Sequence, residues 1–347
     1  MMARPTPSAP SSPSQDAAPL LSVRDLHVEF RTFDGVAEVL QGVTLDVPRG
    51  TRVGLVGESG CGKSVTMRAI MGILPTPPAR IPRGTIDYDG RDLLRLPKRQ
   101  RDALKGTELS MIFQDPMTSL NPVFRIGHQM RDIVTWSDRR RGRHRNPEAR
   151  KNRVLEVLDM VRLPDPRRIY DAYPIQLSGG MRQRILIGMS LLNEPRLLIA
   201  DEPGTALDVT TQDEILSLLD ELVREEGLSL LMITHNLGVV RQMTDHVYVM
   251  YAGAVVEEGP TPELFGRPSH PYTEALLACV PKLSGDAVYQ GIDGTLPDYT
   301  DPPAGCRFHP RCPHAMDVCT RRPPSFDVGP AHSAACWLHD ETPETAS

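Results

Sequence analysis

The sequence predicts an α/β fold with a mainly parallel sheet, a helical subdomain and a loop-rich C-terminal extension. Three observations support this. Short strand-like runs alternate with amphipathic helical stretches. A long mostly helical segment, from about Pro122 to Leu192, interrupts the alternation. From about Gly266 onward, prolines multiply and hydrophobic periodicity fades.

In chain order, residues 1–19 (MMARPTPSAPSSPSQDAAP) are rich in Pro, Ser and Ala and lack an apolar h-region. They read as a disordered tail and not as a signal peptide. LSVRDLHVEF alternates apolar and polar residues, as a half-buried strand does. VLQGVTLDV is a second strand that stops at the turn Pro48-Arg49-Gly50. TRVGLVG rises into a glycine-rich loop, and SVTMRAIMGIL continues it with helical character. RLLIAD and LSLLMITH are apolar runs of strand length, and the helical EILSLLDELVREE lies between them. Domain boundaries follow: a tail over 1–19, a main unit over 20–265 with its helical part at about 120–190, and an extension over 266–347. No internal repeat is visible, so the chain carries one such unit.

The chain has 347 residues, 40% of them apolar, enough for one large core or two modest ones. Its formal net charge of −5 argues against a nucleic-acid partner. The basic run Arg139 to Arg145 reads as a solvated loop. No stretch approaches the roughly eighteen apolar residues of a membrane span. The sequence therefore predicts a cytoplasmic protein that meets a membrane only through a partner.

Gly57-Glu58-Ser59-Gly60-Cys61-Gly62-Lys63-Ser64 fits G-x-x-x-x-G-K-[ST] in the required strand-to-helix context. Glycines let the backbone curl so that its N–H groups face phosphates, and the following helix adds the positive end of its dipole. Lys63 is placed to reach the β- and γ-phosphates, and the Ser64 hydroxyl to ligate Mg²⁺. Residues Gly57 to Val65 are thus the candidate nucleotide cradle. The run Leu197-Leu198-Ile199-Ala200-Asp201-Glu202 is a strand that ends in two carboxylates. Asp201 suits Mg²⁺ held through water, and Glu202 suits a general base for an attacking water. His235 ends the next strand and is a candidate to orient that water; Gln114 offers an amide to Mg²⁺ and the water.

Of six cysteines, Cys306, Cys312, Cys319 and Cys336 fall close together near the C-terminus. In a cytoplasmic chain such clustering suggests a metal site over disulfides. Thiolates suit iron–sulfur and zinc alike, the gaps are wide for a zinc ribbon, and unmetallated thiols remain open. His309, His314 and His332 are possible replacement ligands, although capping of turns is the plainer reading.

Leu177-Ser178-Gly179-Gly180-Met181-Arg182-Gln183-Arg184, just before the acidic strand, resembles the LSGGQ signature of ABC ATPases. The order of phosphate loop, Gln114, signature, Asp201-Glu202, Thr205-Ala206-Leu207-Asp208 and His235 covers about Leu21 to Phe265. The resemblance implies a P-loop ABC-type ATPase domain with a RecA-like core, binding ATP and Mg²⁺. It implies a site completed in a dimer, where Ser178, Gly179 and Gly180 face the γ-phosphate held by the opposite subunit. Asp208 joins the nucleotide contacts, and Phe30 falls where an aromatic stacks on adenine. FQDPMTSLNP, GESGCGKS and HPYTEALLACVP look like the oligopeptide, dipeptide and nickel permease branch. In some of its members the equivalent cysteines hold a [4Fe–4S] cluster, which the resemblance implies for this set too. Met181 replaces the usual signature glutamine; Gly204 stands where threonine is frequent and should loosen the turn toward Asp208.

For function, the resemblance implies a peripheral motor on the cytoplasmic face of the cell membrane. It would work with two transmembrane permease subunits, a second ATPase subunit (identical or paralogous) and an extracytoplasmic substrate-binding protein, energising peptide import. Nickel or another small solute is the alternative cargo. Non-transport ABC ATPases with a long inserted coiled coil fit poorly, because only 63 residues separate Gln114 from Leu177 and carry no heptad run.

Overall fold

The computed structural model describes residues 18–113, 119–204, 208–279 and 291–341. The N-terminal tail through Ala17, Gln114, Thr205 to Leu207, and the end of the HPYTEALLACVP stretch at Val280 and Pro281 lie outside the described residues.

The chain opens with β1 (Leu21–Arg31), β2 (Val36–Val47), β3 (Arg52–Val56) and helix α1 (Lys63–Ile70). Next come β4 (Ala79–Tyr88), β5 (Arg91–Asp92), α2 (Lys98–Leu104) and β6 (Leu109–Ile112). The helical segment holds α3 (Ile126–Arg141), α4 (Pro147–Met160), α5 (Pro166–Asp171) and α6 (Gly179–Leu191). The alternation then resumes with β7 (Leu197–Asp201), α7 (Val209–Glu226), β8 (Ser229–Ile233), α8 (Leu237–Met243), β9 (His246–Tyr251) and β10 (Ala254–Pro260). The C-terminal part holds α9 (Thr261–Gly266), α10 (Pro271–Ala278), β11 (Phe326–Gly329) and β12 (His332–Ala334).

Two sheets form. An antiparallel one has the order β2-β1-β4-β5, and an eight-stranded one the order β11-β12-β10-β9-β3-β8-β7-β6. From β9 to β6 all pairings in the larger sheet are parallel, so its strands are buried on both faces and read as continuous apolar runs. All five residues of β7 and of β8 are buried. One core joins β7 and β8 to α3–α7 through Ile126, Met130, Ile185, Leu198 and Leu219. A second lies between the two sheets and α1, around Leu26, Leu55, Ile70, Ile86 and Ile199.

The run Arg139–Arg145 is a solvated loop only from Gly142 onward. Arg139 to Arg141 form the last turn of α3, where cations complement the helix dipole. Arg140 lies 3.9 Å from the centre of the Trp136 ring, and Arg141 donates to the Thr107 carbonyl at 2.6 Å. The buried Asp138 is paired with Arg150 at 3.0 Å and Arg145 at 3.5 Å.

The segment after Gly266 shares both sheet and core with what precedes it. Strand β12 pairs with β10 through Glu257↔Ala334 and Glu258↔Ser333. The Glu257 carboxylate, 1% exposed, accepts from the amides of Ser269 and His270 and is bonded to His332 Nε2 at 2.8 Å. A third core, built on Val56, Tyr251, Tyr272 and Phe308, spans the seam.

Candidate active site

Strand β3 delivers the chain into the phosphate loop, and packing forces the glycines there. A Cβ on Gly57 (φ +149°) would sit 2.1 Å from the Met250 carbonyl oxygen, and one on Gly62 (φ +111°) 2.7 Å from Leu40 Cδ2. The loop is thus pressed against the end of β9 in a shape that other residues cannot take. Gly62 caps α1 without a side-chain acceptor, so the first amides of that helix remain available to an anion. Lys63, 6% exposed, donates to the carbonyls of Gly57 at 2.7 Å and Glu58 at 2.8 Å, which holds its ammonium inside the loop.

The parallel pairing of β7 with β8 brings Asp201, Glu202 and His235 to one sheet end. The Ser64 side chain lies close enough to the Asp201 carboxylate to favour its charged form. Burial and the adjacent Glu202 charge push Asp201 above the usual carboxylate range, opposed by Ser64 and by the nearby Lys63. Two hard oxygen donors beside the loop, one on a carboxylate short of positive charge, fit Mg²⁺. Glu202 has φ +50°, a conformation that costs a non-glycine residue about 1–3 kcal/mol. It is held there by its amide, which donates to the Ile233 carbonyl at 2.8 Å. Glu202 Oε1 lies 2.6 Å from His235 Nδ1. A pocket of about 190 Å³ opens over both, lined also by Gly204, Gln212 and Asn236.

The signature caps α6. Ser178 is exposed at the N-cap, and its Oγ accepts from the Met181 amide at 3.3 Å. Gly180 is required by a close approach, since a Cβ would lie 2.6 Å from Thr211 Cγ2. Asp208 caps α7, its two oxygens accepting from the Thr211 amide and hydroxyl at 3.0 and 2.8 Å, and these bonds hold its carboxyl below the usual range. A Cβ on Gly204 would lie 2.6 Å from Gln212 Cγ on α7, and the turn beyond it, Thr205 to Leu207, lies outside the described residues. Phe30 is half-buried on β1 and rests on the inter-sheet core, while Phe33 stands fully exposed at the hairpin tip.

The structure therefore links Lys63, Ser64, Asp201, Glu202 and His235 in one continuous set. Ser178 to Gly180 and Asp208 lie at the starts of α6 and α7, which approach each other at Gly180 and Thr211. Sequence reading missed Gln183, which is 2% exposed and donates from Nε2 to the Pro203 carbonyl at 2.5 Å, tying the signature helix to the residue after Glu202. The motif spacing itself was the available signal, because Gln183 follows the signature serine by five residues.

Cys306, Cys312, Cys319 and Cys336 line one small apolar pocket of about 10 Å³ with Phe308, Met316 and Trp337. All four are free thiols. Backbone amides of Phe308, His314 and Leu338 point at Cys306, Cys312 and Cys336, and the Met316 amide at Cys319. Burial and the neighbouring thiols push Cys306 up to about 11, and burial likewise raises Cys312 and Cys336. Among the described residues, no three His, Cys, Asp or Glu side chains are grouped so as to hold a metal ion. Of the candidate replacement ligands, His309 bonds the Cys306 carbonyl at 2.9 Å and His332 is taken by Glu257.

The sequence profile of the ABC transporter family matches residues 40–205, and that of the C-terminal region of oligopeptide/dipeptide transporters matches residues 256–319. The dipeptide transport ATP-binding protein DppD of Bacillus subtilis (strain 168) is 46% identical over 329 residues, 94% of this chain and 97% of that protein. The chain belongs to the ATP-binding proteins of the oligopeptide/dipeptide branch of ABC transporters. The oligopeptide transport ATP-binding protein OppD of Escherichia coli (strain K12) is 44% identical over 326 residues, 93% of this chain and 94% of that protein. A solved dimer of an ATP-binding cassette in a post-hydrolysis state, bound to ADP and Pi, superposes with a TM-score of 0.61 at 25% identity. It covers 70% of this chain and 98% of its own. The α/β class with a mainly parallel sheet and a P-loop cassette stands, and the chain is an ABC-type ATPase. Among the described residues, no helix is long and apolar enough to cross a membrane.

Proposed function

We propose that this ATPase energises import of short peptides from the cytoplasmic face of the cell membrane. Its partners would be two transmembrane permease subunits, a second ATPase subunit and an extracytoplasmic substrate-binding protein. The names of the relatives, which transport dipeptides and oligopeptides, support the cargo; nickel or another small solute is the alternative. The observation that carries the motor role is the contact between Glu202 and His235 beside the Asp201–Ser64 pair. The chain divides into a tail over 1–19, an ATPase unit over 20–265 with its helical part at about 120–190, and an extension over 266–347.

In this reading Gly57 to Val65 and Lys63 bind the phosphates, and Phe30 meets the base. Ser64 and Asp201, with Gln114, would hold Mg²⁺, which supplies positive charge to the β- and γ-oxygens. Glu202 accepts the proton of the attacking water, and His235 fixes the orientation of the Glu202 carboxylate through their contact. Ser178, Gly179, Gly180 and Asp208 meet the nucleotide of the partner subunit, which leaves each site complete only in the closed dimer. Glu202→Gln is expected to bind ATP normally and to lose about 10²–10⁴-fold in hydrolysis. Near-normal turnover would remove Glu202 from this role. Peptide-stimulated ATPase activity in the assembly co-purified with membrane subunits tests the cargo.

Cys306, Cys312, Cys319 and Cys336 are the proposed ligands of a [4Fe–4S] cluster. Their shared apolar pocket and the amides aimed at the sulfurs support this, because such hydrogen bonds stabilise thiolate ligands. Bound there, the cluster would cross-link the extension internally. Visible absorption together with iron and sulfide analysis of anaerobically purified protein tests it. A colourless, iron-free and correctly folded protein refutes it.

A further inference from the structure

Among the described residues of the C-terminal segment, the side chains of Tyr272, Tyr299 and Arg311 hydrogen-bond to the phosphate loop, and none has an assigned role there. The Glu58 amide donates to the hydroxyl of Tyr272, a residue with no exposed surface, at 2.9 Å. The Tyr299 hydroxyl donates to the Gly60 carbonyl at 2.8 Å. Arg311 grips the Glu58 carboxylate with both terminal nitrogens, at 2.8 and 3.1 Å.

Arg311 is itself firmly placed. Its side chain is 6% exposed, its Nε donates to the Asp293 carbonyl at 2.7 Å, and its Nη2 donates to the Ile292 carbonyl at 3.0 Å. The aromatic cluster of Tyr251, Tyr272 and Phe308 packs beneath it, with ring centres 4.7 to 5.4 Å apart. Such a fork on a carboxylate fixes direction as well as charge.

The chemistry of the loop gives this contact a consequence. Glu58 places a negative charge on the segment that must wrap a triphosphate, and the carbonyl of the same residue anchors Lys63. An unpaired carboxylate there would repel the nucleotide and free the loop to move. We infer that Arg311 is a positioning residue for nucleotide binding: it neutralises Glu58 and, with Tyr272 and Tyr299, clamps residues 58–60 in the anion-cradling shape. Arg311 touches the loop and not the nucleotide. This inference rests on the ATPase reading of the loop, which Lys63→Ala tests separately by abolishing Mg-ATP binding.

The test is equilibrium binding of a fluorescent ATP analogue with Mg²⁺, plus KM and kcat for ATP, on the full chain. Arg311→Ala is expected to weaken binding and raise KM by about ten-fold while changing kcat by less than about two-fold, the size of one uncompensated charge near the site. Arg311→Ala combined with Glu58→Gln is expected to recover most of that loss, because the repelling carboxylate is gone. Glu58→Gln alone is measured alongside to close the double-mutant cycle, and its own effect is subtracted before the two variants that carry Arg311→Ala are compared. A merely structural role predicts that the double variant is as weak as Arg311→Ala; that result, or wild-type affinity in Arg311→Ala, overturns the inference. If Arg311→Ala does not fold, Tyr299→Phe removes only the hydroxyl on Gly60. It is expected to weaken binding about three-fold, and unchanged affinity there overturns the clamp.

Discussion

His270 caps α10 and so positions Tyr272, whose hydroxyl takes the phosphate-loop amide. Its Nδ1 accepts from the Tyr272 amide at 3.0 Å, and the ring is 2% exposed against Phe308. The proton therefore resides on Nε2, which has no partner among the described residues. Burial, helped by the charge of His339, pulls the imidazole down to about 3. The carboxylate of Glu257 meets the backbone of His270 through its amide at 2.9 Å. A histidine depressed in the folded state takes up its proton more readily when unfolded, where its pKa is about 6.5. Its neutral form thus costs no stability above pH 6.5, and protonation favours unfolding progressively as pH falls from 6.5 toward 3. At pH 5 the penalty is about 2 kcal/mol, from one and a half units at 1.36 kcal/mol each. The carboxylates Asp89 and Asp102, held near 2 by their arginine and lysine partners, lose their contribution only below about pH 4, so they do not obscure this window. His270→Asn keeps an acceptor at the cap and removes the titration. Urea unfolding of both proteins at pH 7.5 and pH 5 is the assay. The wild type is expected to lose about 2 kcal/mol more than the variant between the two conditions. Equal losses would refute the buried neutral imidazole.

Other outcomes follow from particular contacts. Gly57→Ala places a methyl 2.1 Å from the Met250 carbonyl, so nucleotide binding is expected to disappear, with thermal unfolding several degrees lower. Asp208→Ala removes both bonds to Thr211 at the start of α7 and is expected to lower the chemical-denaturation midpoint, with more lost in ATP turnover than in ATP binding. Phe308→Ala empties the centre of the third core and is expected to cost about 3–5 kcal/mol and to weaken ATP binding together with stability.

The local chemistry was readable in the sequence because its determinants are contiguous. The phosphate loop, the strand ending in Asp201 and Glu202, and the signature cap on α6 each lie within one short segment, and parallel strand order brings their ends together. The antiparallel sheet was less legible. Pro82 and Gly84 break the alternation of β4, and its paired residues on β1 lie 49 to 67 positions earlier. The basic run was half legible: Gly142 to Arg145 do form a loop, but composition cannot distinguish a loop from the last helical turn, where Arg140 and Arg141 fold onto Trp136 and Thr107. Arg311 carries no motif at all. Its partner Glu58 lies 253 positions away, and only the packing of Tyr251, Tyr272 and Phe308 shows that the two meet.

Strand β10 has β9 on one side and finds its other neighbour only in β12, near the end of the chain. Trimming the gene to the ATPase motifs, at Phe265 for instance, would therefore strip a row of backbone donors and acceptors and uncover Tyr251. Such a fragment would present a sticky seam to its own copies and precipitate before its catalytic competence could be judged.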